Sequence, residues 1–277
     1  MAKIAILSYI KRKSPVHELT GTTKLIFFIA WSIGSMVTYD TRVLVCMMIL
    51  SMAIFKISRI RIKDISVVLG LAAAFVLLNN LFVYLFAPEY GVELYESRTV
   101  LFTIAGPYTI TLQQLFYHLN MTMKVFCVVP VALLFIACTD PSEFAASLAS
   151  IGVSYRIGYS VSLALRYIPD VQREYHNISQ AQQARGIDLS GKDKLFTRLK
   201  NSVAILLPLI MSSLNRIETV SNAMELRGFG KNKVRTWYAR RPMRRNDWLA
   251  IVSVLVILTV DMVVTFWDGS RYYNPFL

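Results

Sequence analysis

Three long apolar stretches constrain the fold of this chain more than any other feature of its sequence. Residues 65–87, 110–138 and 248–267 each supply about 20 or more mostly apolar residues, the length that one transmembrane helix requires. Composition agrees, because 55% of the 277 residues are apolar and 17% are charged, against about 25% charged in ordinary soluble domains. The sequence therefore predicts an all-α integral membrane protein.

Two shorter apolar stretches, residues 25–38 and 43–57, precede these three and are separated by Tyr39, Asp40, Thr41 and Arg42. We interpret them as a helical hairpin and not as one long bent helix. In a single helix, Asp40 and Arg42 would both lie at the bilayer centre, where charged side chains are energetically expensive. The predicted layout has about five transmembrane helices.

The charges of the connecting segments support five crossings. Residues 1–24 hold five Lys or Arg and one acidic residue. Residues 139–247 hold seventeen Lys or Arg and nine acidic residues. Residues 88–109, which this layout places on the opposite side, hold three acids and one Arg. Positively charged segments stay in the cytoplasm, so the N-terminus is predicted to be cytoplasmic.

The segment 139–247 contains two further apolar stretches, residues 157–171 and 202–214. The second has only 13 residues, a length that suits a buried or interfacial helix better than a span. If both crossed, the basic residues 172–201 would lie outside, so a seven-span layout is the weaker alternative. Three regions follow: 1–138 with an N-terminal arm and four transmembrane helices, 139–247 as a cytoplasmic, partly membrane-apposed module, and 248–277 with the last transmembrane helix and tail.

The pattern S-x-A-x-x-x-R-G occurs twice in this module, at residues 179–186 and 221–228. Each copy is typical of a helix end, with Arg in the last turn and Gly in the left-handed position just beyond it. One copy alone would be ordinary capping. Two copies indicate two equivalent receivers, such as a dimer of a partner whose carboxylates pair with Arg185 and Arg227.

These motifs resemble those of the transmembrane T component of energy-coupling factor transporters, which are ABC-type importers of vitamins and metal ions. Ala184-Arg185-Gly186 matches the family's first Ala-Arg-Gly motif, and Leu226-Arg227-Gly228 matches the second except for Leu in place of Ala. The segment from Ser14 to Leu25 is similar to the family's segment before the first span, where His-x-Leu precedes Thr-Lys. Thr20-Gly21-Thr22 replaces the usual Asp-Pro-Arg.

The resemblance implies a coupling scaffold in a bacterial cell membrane that has no active site and no cofactor of its own. Two long cytoplasmic coupling helices would cross in an X. Their ends would dock in grooves of two ABC-type ATPase subunits, which bind ATP and Mg²⁺, for vitamin or micronutrient uptake. The implied ATPase-coupling residues are Ala184, Arg185, Gly186, Leu226, Arg227 and Gly228. A membrane-embedded substrate-binding S component would contact the apolar coupling-helix faces, for which the candidate residues are Ile205, Leu206, Leu209, Ile210 and Met211.

Other charged patterns carry less weight. The segment from Gly186 to Asp193 is one residue short of a phosphate-binding P-loop, has Asp193 where Ser or Thr is needed, and is interpreted as a chance match. The basic stretch 231–245 directly precedes a span, which favours an anchor to anionic lipid over nucleic-acid binding. Lys124 and Asp261 lie inside predicted spans, where we expect them to reach toward the membrane surface.

Two other functions remain open. A stand-alone secondary transporter or another multi-span permease would carry its own substrate, and a buried Lys124–Asp261 pair would be its signature. A membrane-bound enzyme is the third possibility, although the sequence shows neither a nucleophile–base pair nor a metal-binding pattern.

Overall fold

The computed structural model describes residues 14–105, 108–187, 195–232, 236–237, 240–267 and 270–276. The chain divides into two compact units. The first, here called the bundle, comprises the residues up to Glu143 together with those from Arg241 onward. The second, here called the module, comprises Phe144–Arg240. The predicted N-terminal arm lies mostly outside the described residues.

Helices account for most of both units. The bundle contains α1 (Pro15–Glu18), α2 (Gly21–Val37), α3 (Thr41–Ile57), α4 (Ile62–Phe86), α5 (Tyr90–Tyr95), strands β1 (Val100–Ala105) and β2 (Tyr108–Thr111), α6 (Leu112–Cys138) and α10 (Arg245–Phe266). Helix α7 (Pro141–Ser150) begins in the bundle, and the module continues with α8 (Tyr155–Ala184) and α9 (Leu195–Leu226).

Helix α2 runs antiparallel to α6. Near the start of α2, the Lys24 ammonium donates a hydrogen bond of 2.8 Å to the carbonyl oxygen of Cys138, the last residue of α6. Further along α2, the Trp31 indole N–H donates to the Cys127 carbonyl oxygen over 3.1 Å. Trp31 is almost completely buried and belongs to the apolar core formed by α2, α3, α6 and α10.

Helix α3 runs parallel to α6 and therefore opposite to α2. The Thr41 hydroxyl at its start donates to the Asn120 amide oxygen over 2.7 Å, and the Cys127 thiol contacts the Leu44 carbonyl oxygen at 3.3 Å. The chain reverses between Val37 and Thr41, where Asp40 caps α3 by accepting from the Arg42 N–H. The predicted hairpin is thus confirmed over a single bent helix.

The other two long bundle helices run in the same direction as α2. In α4, Ile65 packs near the C-terminal turns of α6, whereas the Asn80 amide donates to the Thr122 hydroxyl further toward the α6 start. In α10, Asp247 contacts the start of α2, and Thr265 pairs with Thr38 at its end. Helices α2, α4 and α10 therefore begin at the end of the bundle where α3 and α6 finish. Residues 14–24 and 139–143 lie at that end.

Four helices in the described part of the chain are long and apolar enough to cross a membrane: Ile65–Phe86 of α4, α6, Asn201–Leu226 of α9, and α10. Helix α2 is apolar but has 17 residues. Residues 202–214 are not limited to a helix too short to cross, contrary to the prediction from the sequence, because this stretch belongs to a continuous 32-residue helix with Pro208 inside it. The assignment of α9 to the cytoplasmic side therefore depends on charge alone.

Strands β1 and β2 form an antiparallel pair between α5 and α6. This pair is the one sheet among the described residues, and it was not predicted from the sequence. Because the pair is short, the architecture remains that of an all-α membrane protein.

Lys124 and Asp261 are both buried inside the bundle, and their reach toward the membrane surface stays a prediction. Lys124 is 5% exposed, donates to the Met36 carbonyl oxygen over 2.9 Å, and lies 3.0 Å from the centroid of the Tyr39 ring. Asp261 is 2% exposed and accepts a hydrogen bond from Thr265. Both side chains form polar contacts inside the bundle, which satisfies part of their hydrogen-bonding capacity without water.

Candidate functional site

Helices α8 and α9 form an antiparallel pair, and this pair positions both Arg-Gly motifs. The Gln182 amide, near the end of α8, donates to the Ala204 carbonyl oxygen over 3.1 Å. Near the middle of the pair, the Ser212 hydroxyl donates to the Glu174 carboxylate. These two contacts set one register, in which the end of α8 lies beside the first half of α9.

The first motif ends α8 as the sequence predicts. Gly186 has φ +89°, the left-handed conformation that a residue without Cβ adopts at low cost. Its N–H donates to the Gln183 carbonyl oxygen over 2.9 Å, and the Ile187 N–H donates to the Gln182 carbonyl oxygen over 3.1 Å. This pair of bonds is a Schellman cap, which satisfies carbonyl groups that the helix leaves unpaired.

The second motif ends α9 with the same geometry. Gly228 has φ +68° and its N–H donates to the Glu225 carbonyl oxygen over 2.9 Å, while the Phe229 N–H donates to the Met224 carbonyl oxygen over 3.0 Å. The Phe229 ring packs against Tyr159 with ring centroids 4.8 Å apart. The end of α9 is therefore held against the first turns of α8.

The side chains of both motifs are available to a partner. Arg185 and Arg227 are exposed, and the described part of the chain shows no ion pair or side-chain hydrogen bond for either. Ala184 is also exposed, and Leu226 is 90% exposed beside Arg227. An exposed guanidinium next to apolar surface at a helix end can form a bidentate pair with a carboxylate in a groove.

The sequence repeat and the helix register place the two motifs symmetrically. The repeat relates position 172 in α8 to position 214 in α9, and these positions lie opposite each other in the register above. Arg185 and Arg227 therefore follow the centre of the pair by equal lengths of chain, in opposite directions. At about 1.5 Å per helical residue, the two arginines lie about 40 Å apart along the pair.

The five apolar residues predicted as a partner surface fall on two sides of α9. Ile205 and Leu209 are buried, at 2% and 9% exposure. Leu206, Ile210 and Met211 are about half exposed. The structure thus leaves only the second group available to a partner. Leu207 is exposed as well, and exposed apolar residues continue further along α9 at Leu214 and Ile217.

A groove between α8 and α9 was not predicted from the sequence. Its volume is about 380 Å³, and its walls include Leu163, Tyr167, Ile217 and Met224. Arg216 also lines the groove and pairs with the Glu174 carboxylate over 3.1 Å. The available signal was helical spacing of apolar residues in α8, which is weak because charged residues interrupt it.

The matching family model describes a cobalt transport protein, CbiQ, and covers residues 12–238. The chain belongs to this family. It is 26% identical to the energy-coupling factor transporter transmembrane protein EcfT 1 of Listeria monocytogenes over 95% of this chain and 97% of that protein. It is 24% identical to the EcfT protein of Staphylococcus aureus over 95% and 98%. A third relative, EcfT of Limosilactobacillus fermentum, is 36% identical over 39% of this chain and 40% of its own length.

These relatives identify the chain as a transmembrane component of an energy-coupling factor transporter, which is a membrane transport protein and not a member of an enzyme family. The matched region extends from just before α1 through both Arg-Gly helix ends. The P-loop-like segment after Gly186 lies mostly outside the described residues.

Proposed function

We propose that this chain is the coupling subunit of its transporter: it transmits ATP-driven motion of two ATPase subunits to a membrane-embedded substrate-binding S component. Two surfaces support this role. One is formed by the two Arg-Gly helix ends of the module, and the other is the exposed apolar side of α9.

The observation that carries the proposal is the equivalence of the two helix ends. Both have a Schellman cap, an exposed Arg, and an equal distance from the centre of one antiparallel pair. Two subunits related by a two-fold axis would present identical grooves, so each would accept one end. The ATPase subunits would supply the ATP and Mg²⁺ sites, and this chain would bind no cofactor.

The exposed residues Leu206, Ile210 and Met211 support the second contact. A half-exposed apolar stripe on a helix requires lipid or an apolar partner to cover it. Met side chains adapt to different partner shapes, so this side of α9 suits an S component. The module and the N-terminus would lie on the cytoplasmic side of a bacterial cell membrane, where basic segments are retained.

Reconstitution tests the proposal directly. The chain is co-expressed with an ATPase pair and an S component, purified through a tag on this chain, and reconstituted in vesicles. We expect both partners to co-purify and uptake to require ATP. Uptake by the chain alone, driven by an ion gradient, would instead establish the secondary transporter, whose candidate charges are the buried Lys124 and Asp261.

A further inference from the structure

The chain leaves the bundle for the module at Glu143 and returns at Arg241. These are the two covalent connections between the units. The residues that flank them inside the bundle, Thr139–Glu143 and Arg241–Asp247, lie at the end of the bundle where α2 begins. The N-terminal turn of α2 contacts both.

The return connection is held by Asp247, which is 1% exposed. One carboxylate oxygen accepts from the Thr20 N–H over 2.7 Å and from the Thr23 hydroxyl over 2.9 Å. The other accepts from the Arg244 N–H over 2.8 Å. Three donors surround this one carboxylate, and two of them come from a segment more than two hundred residues away in sequence.

The exit connection is held by the next residue of the same turn. The Gly21 N–H donates to the Glu143 carboxylate over 2.9 Å, and a Cβ at position 21 would lie 2.7 Å from the Glu143 Cγ. The close approach therefore requires glycine. Arg241, from the return connection, lies 3.5 Å from the second Glu143 oxygen and so joins the two connections directly.

Lys24 completes the arrangement one turn into α2. Its ammonium, 6% exposed, donates to the Cys138 carbonyl oxygen over 2.8 Å and to the His17 carbonyl oxygen over 3.3 Å. Position 138 is the last residue of α6, immediately before the exit connection. The charge of Lys24 thus stabilises the C-terminal end of α6, where helix carbonyl groups lack partners.

We propose that Thr20–Lys24 is a clasp that fixes both connections to the bundle, so that motion of the module is transmitted to the membrane helices instead of being absorbed in the connecting segments. The inference rests on the proposed coupling function. It assigns to Thr20, Gly21, Thr23, Glu143 and Asp247 a positioning role in coupling. These residues would contact neither an ATPase nor the transported substrate.

The N-terminus of α2 explains why both carboxylates bind at the same place. A helix start presents unpaired N–H groups and a partial positive charge, both of which favour a carboxylate. Here two carboxylates, one from each connection, occupy adjacent N–H groups of a single helix start. A displacement of either connection breaks a charge-assisted hydrogen bond in a buried site, so the clasp resists such displacement.

The test measures uptake and ATP hydrolysis together in the reconstituted transporter. Asp247→Asn keeps the shape but turns an NH₂ group toward one of the donors, and Thr23→Val removes one donor while keeping a β-branched side chain. We expect normal complex yield, near-normal ATP hydrolysis and about ten-fold less substrate transported per ATP, which is the effect of losing one charge-assisted hydrogen bond. Asp40→Asn is the matched control, since Asp40 is a buried helix cap at the opposite end of the bundle.

The outcomes are distinct. A selective fall in transport per ATP in both clasp variants, but not in Asp40→Asn, supports the clasp. Unchanged transport per ATP, or an equal fall in the Asp40→Asn control, overturns it. If Asp247→Asn fails to assemble, Thr23→Val alone decides in the same way. Failure of the wild-type chain to bind an ATPase pair would instead refute the proposed coupling function and not the clasp specifically.

Discussion

Replacement of Arg185 and Arg227 by Ala, singly and together, tests the symmetry of the two helix ends. Both side chains are exposed, and their truncation removes no ion pair or side-chain hydrogen bond with the described residues. We therefore expect unchanged thermal unfolding and membrane insertion. The effect should appear only in binding of the ATPase subunits.

The magnitude follows from the predicted contact. Truncating one partner of a buried, hydrogen-bonded charge pair costs about 2–5 kcal/mol, which weakens binding by about 30-fold to 4000-fold. The two arginines lie about 40 Å apart along the helix pair, as the helical rise dictates. Sites this distant act independently, so the losses in the double variant should add to about 4–10 kcal/mol.

The assay is co-purification of the ATPase pair over a range of ATPase concentrations, followed by uptake in vesicles. Arg173→Ala is the matched control, because Arg173 is an exposed α8 residue that lies away from both helix ends. A double variant that binds the ATPases no worse than either single variant would refute two equivalent docking sites. Equal weakening by Arg173→Ala would show that general positive charge matters and helix-end geometry does not.

Three other changes have expected outcomes. Gly228→Ala places a Cβ on a residue in the left-handed conformation and should lower the free energy of unfolding by about 1–2 kcal/mol. It should also weaken co-purification of the ATPases. Gly152→Ala is the control, because Gly152 also has a positive φ but lies in neither motif, and it should leave co-purification unchanged. Ile210→Asp should release the S component while the ATPases stay bound. Ile210→Ala should weaken binding of the S component less than Ile210→Asp does. If Ile210→Asp releases the ATPases and not the S component, the two surfaces have been assigned to the wrong partners. Single cysteines at positions 194 and 93, in a cysteine-free background, should differ in their reaction with an impermeant reagent. Position 194 should react only after permeabilisation, and position 93 should react in intact cells. Labelling at position 194 in intact cells would support seven spans, because that layout places residues 172–201 outside.

Helix capping is the part of the site that sequence predicts best, because its cause is local. Gly186 and Gly228 each stand two residues beyond the last helical residue, and their left-handed conformation allows the Schellman hydrogen bonds that satisfy the last carbonyl groups. The reversal at Asp40 is equally local, since a charged pair between two apolar stretches disfavours one continuous helix. Such features need no knowledge of distant contacts.

Contacts between distant residues could not be predicted in the same way. Nothing in the sequence predicts that Asp247 accepts a hydrogen bond from Thr20, or that Lys124 donates one to the Met36 carbonyl oxygen. The length of α9 was missed for a related reason: polar residues such as Asn215 end the apolar run without ending the helix. A helix continues through exposed polar residues when its backbone bonds persist and another side of it is packed.

The internal repeat and the clasp together suggest how one chain could bind a two-fold pair of ATPase subunits and also transmit their motion to the bundle. Antiparallel packing turns a repeat within a single chain into a local two-fold arrangement, which suits a two-fold pair of ATPase subunits. The module joins the bundle through two unlike connections, one at Glu143 and one at Arg241. The proposed coupling function requires that these connections be fixed to the bundle. The N-terminal turn of α2 meets that requirement, because adjacent N–H groups of one helix hold a carboxylate from each connection.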